Sequence, residues 1–146
     1  SKDRGAIASF NGIRCPMGQA RITGPGYYGS LKVNYVIHAV GPEYKSYKGN
    51  DFESLDNILR SAYQEALECC RETPEIEQVA FALLSAGVFR GKRGLRNVLQ
   101  IGIHGIRDWA SESDECGSLK QIFLFAFKLQ EVDMLLDICK QELKPI

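Results

Sequence analysis

Residues 78–91 read Gln-Val-Ala-Phe-Ala-Leu-Leu-Ser-Ala-Gly-Val-Phe-Arg-Gly, and the reading of this stretch decides the fold. The run from Val79 to Leu84 is apolar and has the length of a strand buried on both faces. Ser85, Ala86 and Gly87 interrupt it, and from Leu95 the apolar residues recur at helical spacing. A buried strand that runs through small residues into a helix is one way to build an anion pocket. Small side chains let a ligand approach the backbone, and N–H groups near the helix start point at it. The stretch therefore predicts a phosphate-bearing ligand over residues 85–89. The competing reading is an ordinary strand-to-helix turn.

Working outward, residues 32–40 read as a strand that Gly41-Pro42 ends, and residues 19–23 as a shorter one stopped by Gly24-Pro25-Gly26. From Ser54, the positions Leu55, Ile58, Leu59, Ala62, Tyr63, Ala66, Leu67 and Cys70 recur at three and four, which predicts an amphipathic helix closed by Thr73-Pro74. Downstream, residues 95–109 predict a helix with Leu95, Val98, Leu99, Gly102, Ile106 and Trp109 inward, and Gly102 and Gly105 are expected to let it approach the sheet. Residues 121–127 predict a further strand. Val132, Leu135, Leu136, Cys139 and Leu143 then mark a closing helix. Residues 5–10 have the length of one or two helical turns before Asn11-Gly12. Strands alternating with helices predict an α/β layered fold with helices on both sheet faces. If the strands are parallel, their carboxyl ends gather Gly41, residues 85–89 and Phe127-Lys128 where such sheets hold ligands.

With 146 residues, the chain reads as one domain over 1–146 with a core of its own. Eighteen basic residues balance eighteen acidic ones, so the broad basic excess of a general nucleic-acid or membrane-surface binder is missing. Arg90, Lys92, Arg93 and Arg96 form a local exception, either adding positive field to the loop or standing as a solvated helix start. Five cysteines without Cys-x-x-Cys spacing indicate neither a disulfide framework nor a zinc site. They predict reduced thiols and an intracellular setting, cytoplasmic or nuclear. Cys69 and Cys70 are expected on different faces of their helix. No metal or cofactor is indicated, and no apolar run approaches the roughly twenty residues of a membrane span. A start at Ser1 rather than Met predicts processing or a piece of a longer protein.

Two catalytic motifs fail on inspection. Against a P-loop, Ala86 stands at the first glycine and Arg93 at the magnesium-binding Ser or Thr. Ser85 is not in a Gly-x-Ser-x-Gly elbow, and only His38 and His104 are available as bases. His38, inside an apolar run, reads as a packed, hydrogen-bonded histidine, and His104 as a surface residue.

Three passages together resemble the macro domain family. Cys15-Pro-Met-Gly-Gln-Ala-Arg-Ile-Thr23 is similar to its Cys-Pro-x-Gly-Glu-Ala-x-Ile-Thr segment. Tyr35-Val-Ile-His-Ala-Val-Gly-Pro42 is similar to its characteristic strand and turn, and Leu84-Ser-Ala-Gly-Val-Phe89 to its Ile-Ser-Thr-Gly-Val-Tyr/Phe phosphate loop. The ordered set spans residues 5–143. The resemblance implies a three-layer α/β/α sandwich with a mixed central sheet that binds ADP-ribose or ADP-ribosylated protein. The backbone of Ser85, Ala86, Gly87, Val88 and Phe89 would hold the phosphates, with the Phe89 ring near the distal ribose. Phe127 would serve as an adenine platform, or alternatively as the last core residue of its strand.

The chain also departs from the family's pattern. The family's earlier strand with its adenine-reading Asp, and its Asn-Ala-Ala-Asn segment, have no counterpart here. Of the following Gly-Val-Asp-Gly-Ala-Ile pattern, Lys2-Asp3-Arg4-Gly5-Ala6-Ile7 keeps Gly5, Ala6 and Ile7, with Gly5 and Ala6 as candidate ligand contacts. Arg4 falls at the acidic position of the hydrolytic members. The resemblance therefore implies ADP-ribose recognition first, removal of mono-ADP-ribose from protein second with its catalytic residues unassigned, and a non-binding interaction remnant third. Because the absent strand lies inside the family's sheet, a homodimer or a covering partner segment is expected.

Overall fold

A computed structural model describes residues 14–112 and 115–144. The first ladder joins β1 (Ala20–Thr23) to β2 (Val36–Ala39) antiparallel, with Arg21 opposite His38 and Ile22 opposite Ile37. β2 is shorter than the predicted 32–40. Its partner β1 spans only four residues and stops at Gly24-Pro25, whose ring nitrogen cannot donate. The turn read at Cys15-Pro-Met-Gly is present: Gln19 N–H donates to Pro16 O at 3.1 Å, and Gly18 has a φ of 77°.

The second ladder pairs β3 (Gln78–Ala82) with β4 (Gln121–Phe125), parallel, with Val79 opposite Ile122 and Phe81 opposite Leu124. Parallel strands require a crossover, and α2 (Leu95–Glu112) supplies it. α1 (Glu53–Arg71) precedes β3, and α3 (Leu129–Glu142) follows β4. The two ladders are not hydrogen-bonded to each other among the described residues, and α1 packs against β1 and β2.

β3 departs from its expected burial on both faces. Val79 and Phe81 join the core with Ile122 and Leu124, whereas Gln78, Ala80, Ala82, Phe123 and Phe125 are exposed. This is the period-two alternation of a strand with one packed face. Leu83 and Leu84 leave the strand, where the Leu84 N–H donates to the Tyr63 hydroxyl at 3.0 Å.

The core centres on α1, whose Leu59, Ala62, Tyr63, Ala66, Leu67, Cys69 and Cys70 are all buried. Cys69 and Cys70, expected on different faces, are both buried, and burial pushes the Cys70 thiol up to about 12. All five cysteines are free. Gly102 and Gly105 permit close approach to α1 rather than to the sheet. A Cβ on Gly102 would lie 2.9 Å from the Tyr63 ring, and one on Gly105 3.4 Å from the Arg60 backbone. The expected α3 stripe is only partly buried: Leu135 and Ile138 are inside, while Val132, Leu136 and Leu143 are exposed. Among the described residues α3 packs chiefly on α2, so a narrower stripe suffices.

Candidate functional site

β3 and β4 run side by side in the same direction and end together, and the chain continues from both ends into loops. In an open parallel sheet this is where a crevice forms. A cavity of about 650 Å³ lies there, within the range of small-molecule sites. Ala86, Gly87, Val88 and Arg90 line one wall, and Phe125 to Lys128, with Glu131, the other.

The first wall is a tightly held backbone. Ser85 has a φ of 55°, the left-handed region that a non-glycine residue enters at a cost, and its hydroxyl donates to Pro42 O at 2.7 Å. This contact requires Gly41, because a Cβ there would sit 2.4 Å from Ser85 Oγ. The chain then makes a 3-10 turn, Val88–Arg90, with Arg90 N–H donating to Gly87 O at 3.1 Å. Phe89 O accepts from the N–H groups of Tyr44 and Lys45 at 2.8 and 3.2 Å. Around Gly87 there is open space, since a Cβ on it would meet nothing within 4 Å.

The second wall is positioned by the start of α3. Glu131, buried, accepts the N–H groups of Phe127 and Lys128 through one carboxylate oxygen at 2.8 and 2.9 Å. The Phe127 main chain is thus fixed while its side chain, 94% exposed, rests on nothing. Of its two readings, last core residue of the strand is excluded by this exposure.

Of the residues singled out in the sequence, the cavity brings together Ala86, Gly87, Val88, Arg90, Phe127 and Lys128. Ser85 braces the loop from behind, and the exposed Phe89 stands outside the lining. Gly5 and Ala6, with Arg4 and the helical turns read over 5–10, lie outside the described residues.

The basic cluster after the loop is not a common positive field. Arg93 forms a two-pronged ion pair with Asp56, at 2.7 and 3.2 Å, and stacks over Phe52. Arg96 pairs with Asp137 at 2.8 Å. Arg90 alone lines the cavity, its guanidinium donating to Ala86 O and Arg93 O at 3.3 and 2.7 Å. Glu131 escaped the sequence reading, as did the bond from Leu84 N–H to the hydroxyl of Tyr63, a residue read only as part of a buried helix face. A Glu three residues after the first position before a helix is a capping signal that marks Glu131.

Neither histidine sits where it was expected. His38 is exposed, because it faces Arg21 across the ladder away from the core, and its Nε2 lies 3.1 Å from Thr23 Oγ1. His104 lies in the α2–α3 seam with Nε2 3.0 Å from the Glu142 carboxylate. Among the described residues no cluster of His, Cys, Asp and Glu could hold a metal ion, and no helix is long and apolar enough to cross a membrane.

Fold and cavity together define an α/β domain with mixed strand pairing and a crevice at the carboxyl ends of its parallel strands. The chain belongs to the macro domain family, whose model matches residues 5–94. A macro domain-containing protein of Caldanaerobacter subterraneus is 36% identical over 122 residues, 82% of this chain and 61% of that protein. One from Vibrio parahaemolyticus is 40% identical over 84 residues, 58% of this chain and 44% of that protein. The chain thus spans about two-fifths to three-fifths of these relatives' length. Among solved structures, the Oceanobacillus iheyensis macrodomain with ADP superposes with a TM-score of 0.68 at 22% identity, covering 90% of this chain and 62% of that one. The Trypanosoma brucei macrodomain in complex with ADP-ribose gives 0.65 at 23% identity, covering 84% and 46%.

Proposed function

We propose that this chain binds ADP-ribose, free or attached to protein, in the cavity between residues 86–90 and Phe127. The observation that carries the reading is the juxtaposition of an open glycine backbone and an unstacked aromatic ring across one cavity of about 650 Å³. A diphosphate needs close approach to main-chain N–H groups, which Gly87 permits. An adenine needs an apolar plane, which Phe127 offers. Arg90 adds a fixed positive charge beside the loop, and its hydrogen bonds to Ala86 and Arg93 keep it there. The solved relatives with ADP and ADP-ribose are consistent with a ligand of this size and charge.

Isothermal titration with ADP-ribose, with AMP as control, tests the reading. Binding that prefers ADP-ribose is expected from the native chain. Gly87→Glu should abolish it without unfolding the protein, since a side chain there enters open space and places a carboxylate where phosphate would lie. No heat from a demonstrably folded chain, or undiminished binding by Gly87→Glu, would overturn it.

A further inference from the structure

The loop wall of the cavity is anchored by a residue that lines no part of it. Asp56 lies in the first turn of α1, outside the cavity lining. Its Oδ1 accepts from the Tyr44 hydroxyl at 2.9 Å and from Arg93 Nε at 3.2 Å, and its Oδ2 accepts from Arg93 Nη2 at 2.7 Å. Phe52 closes this cluster, its ring 4.9 Å from the Arg93 guanidinium and edge-on to Tyr44.

The two partners of Asp56 grip the loop at different points. Tyr44 is buried, and its N–H and that of Lys45 donate to Phe89 O at 2.8 and 3.2 Å. Gly91 seats against the same stretch of main chain, since a Cβ on it would lie 2.5 Å from Lys45 Cα. Arg93 holds the far end. Its carbonyl accepts from Arg90 Nη1 at 2.7 Å, and its N–H donates to Arg90 O at 3.1 Å. Arg90, so held, reaches back to Ala86 O at 3.3 Å and lines the cavity.

Resting on the binding reading above, we infer that Asp56 is a positioning residue for the ligand cavity. It touches no ligand, and through Arg93 and Tyr44 it fixes Arg90 and the main chain of residues 86–93 where the diphosphate lies. A two-pronged carboxylate–guanidinium pair sets orientation as well as distance, and a helix turn gives it a rigid base. Charge alone makes the opposite prediction from positioning. Removing a carboxylate near an anion site raises the local positive field, which should tighten diphosphate binding. Losing the anchor should weaken it, because Arg90 and the loop must then be ordered at the moment of binding.

Calorimetric titration of ADP-ribose into the native chain, Asp56→Asn, Arg90→Ala and the double variant separates the two. Asp56→Asn keeps the size and an acceptor for Tyr44 while ending the ion pair with Arg93. It should weaken binding about fivefold or more in the native background but less than about twofold in the Arg90→Ala background, because both residues act along one path. Amide exchange of the ligand-free chain gives a second readout. The N–H groups of Arg90 and Arg93 should exchange about threefold or more faster in Asp56→Asn, with the amides of β4 unchanged. Should Asp56→Asn not fold, Arg93→Gln breaks the same pair from its other side and enters the same cycle. Tightened or unchanged binding, an equal loss in both backgrounds, or unchanged exchange at residues 90 and 93 would each overturn the inference. Absence of binding by the folded native chain would instead refute the ADP-ribose reading, and the exchange rates would then decide whether Asp56 holds the loop.

Discussion

The Ser85 hydroxyl donates to the carbonyl oxygen of Pro42 at 2.7 Å, tying the turn after β2 to the loop after β3. The pair ties two ladders that share no strand hydrogen bond among the described residues, and it holds the left-handed turn of Ser85 at the back of the cavity. Ser85→Ala should lower stability by about 1 kcal/mol, the usual net value of one such bond. Gly41→Ala should cost about 1–3 kcal/mol through overpacking against the hydroxyl. Once that hydroxyl is gone, the clash at residue 41 disappears. The double variant should therefore be more stable than the sum predicts by at least about 0.5 kcal/mol in urea unfolding. Strict additivity would show that the two residues are not in contact.

Tyr63 transmits the packing of two helices to the same loop. Its ring lies where a Cβ on Gly102 would be 2.9 Å away, and its hydroxyl accepts the Leu84 N–H. Tyr63→Phe leaves that N–H without its partner in the interior, and a cost of about 1–3 kcal/mol is expected. Gly102→Ala gains helix propensity of about 1 kcal/mol but pushes on the ring, so it should destabilise in the native background. In a Tyr63→Leu background, where the ring is gone, the same substitution should become neutral or stabilising. Thermal melts of the four proteins decide this, and an unchanged penalty in both backgrounds would refute the contact.

How far the sequence carried these features depends on what each residue's role requires. α1 was legible nearly to the residue because eight apolar positions repeat at one helical period. The loop after β3 was legible because Ser85-Ala86-Gly87 interrupts an apolar run, and the chemistry of close backbone approach is written in side-chain size. The exposure of Ala80, Ala82, Phe123 and Phe125 was not legible. A strand of continuous apolar residues reads as doubly buried, and which neighbours cover it is a property of the assembled sheet. His38 misled for the same reason: an apolar run conceals which of its members faces out. The basic residues at 90–96 looked like one field because sequence spacing does not reveal that Asp56 and Asp137, 37 and 41 residues away from their partners, neutralise two of them.

Glu142 makes the attachment of α3 pH-dependent. Its carboxylate accepts from Gln100 Nε2 at 2.9 Å, lies 3.0 Å from His104 Nε2, and pairs with Arg107 at 3.2 Å. The Gln100 hydrogen bond first, then that of His104, hold the carboxyl below its ordinary 4.5. A carboxyl depressed in the folded state stabilises that state above its unfolded pKa. Its contribution is lost as pH falls through the lower folded value. The native chain should thus lose stability below about pH 4.5 more steeply than Glu142→Gln. Denaturant midpoints of both across this range check it, and parallel curves would rule out the linkage.

Phe127 and Glu131 separate binding from stability. Phe127 is 94% exposed, so Phe127→Ala removes no packed surface and should leave the melting temperature nearly unchanged. On the proposed reading it removes an adenine platform, and base stacking on an aromatic ring contributes about 1–3 kcal/mol, which is roughly 5- to 150-fold in affinity for ADP-ribose. Glu131 acts one step back, by holding the N–H groups of Phe127 and Lys128. Glu131→Ala should cost about 1–2 kcal/mol of stability as a lost helix cap and also weaken binding by letting the Phe127 main chain move. Glu131→Gln keeps an acceptor and should recover most of both. Calorimetric titration beside thermal melts of the three variants reads the two effects separately. If Phe127→Ala binds ADP-ribose as tightly as the native chain, the adenine lies elsewhere and Glu131 is a helix cap with no part in recognition.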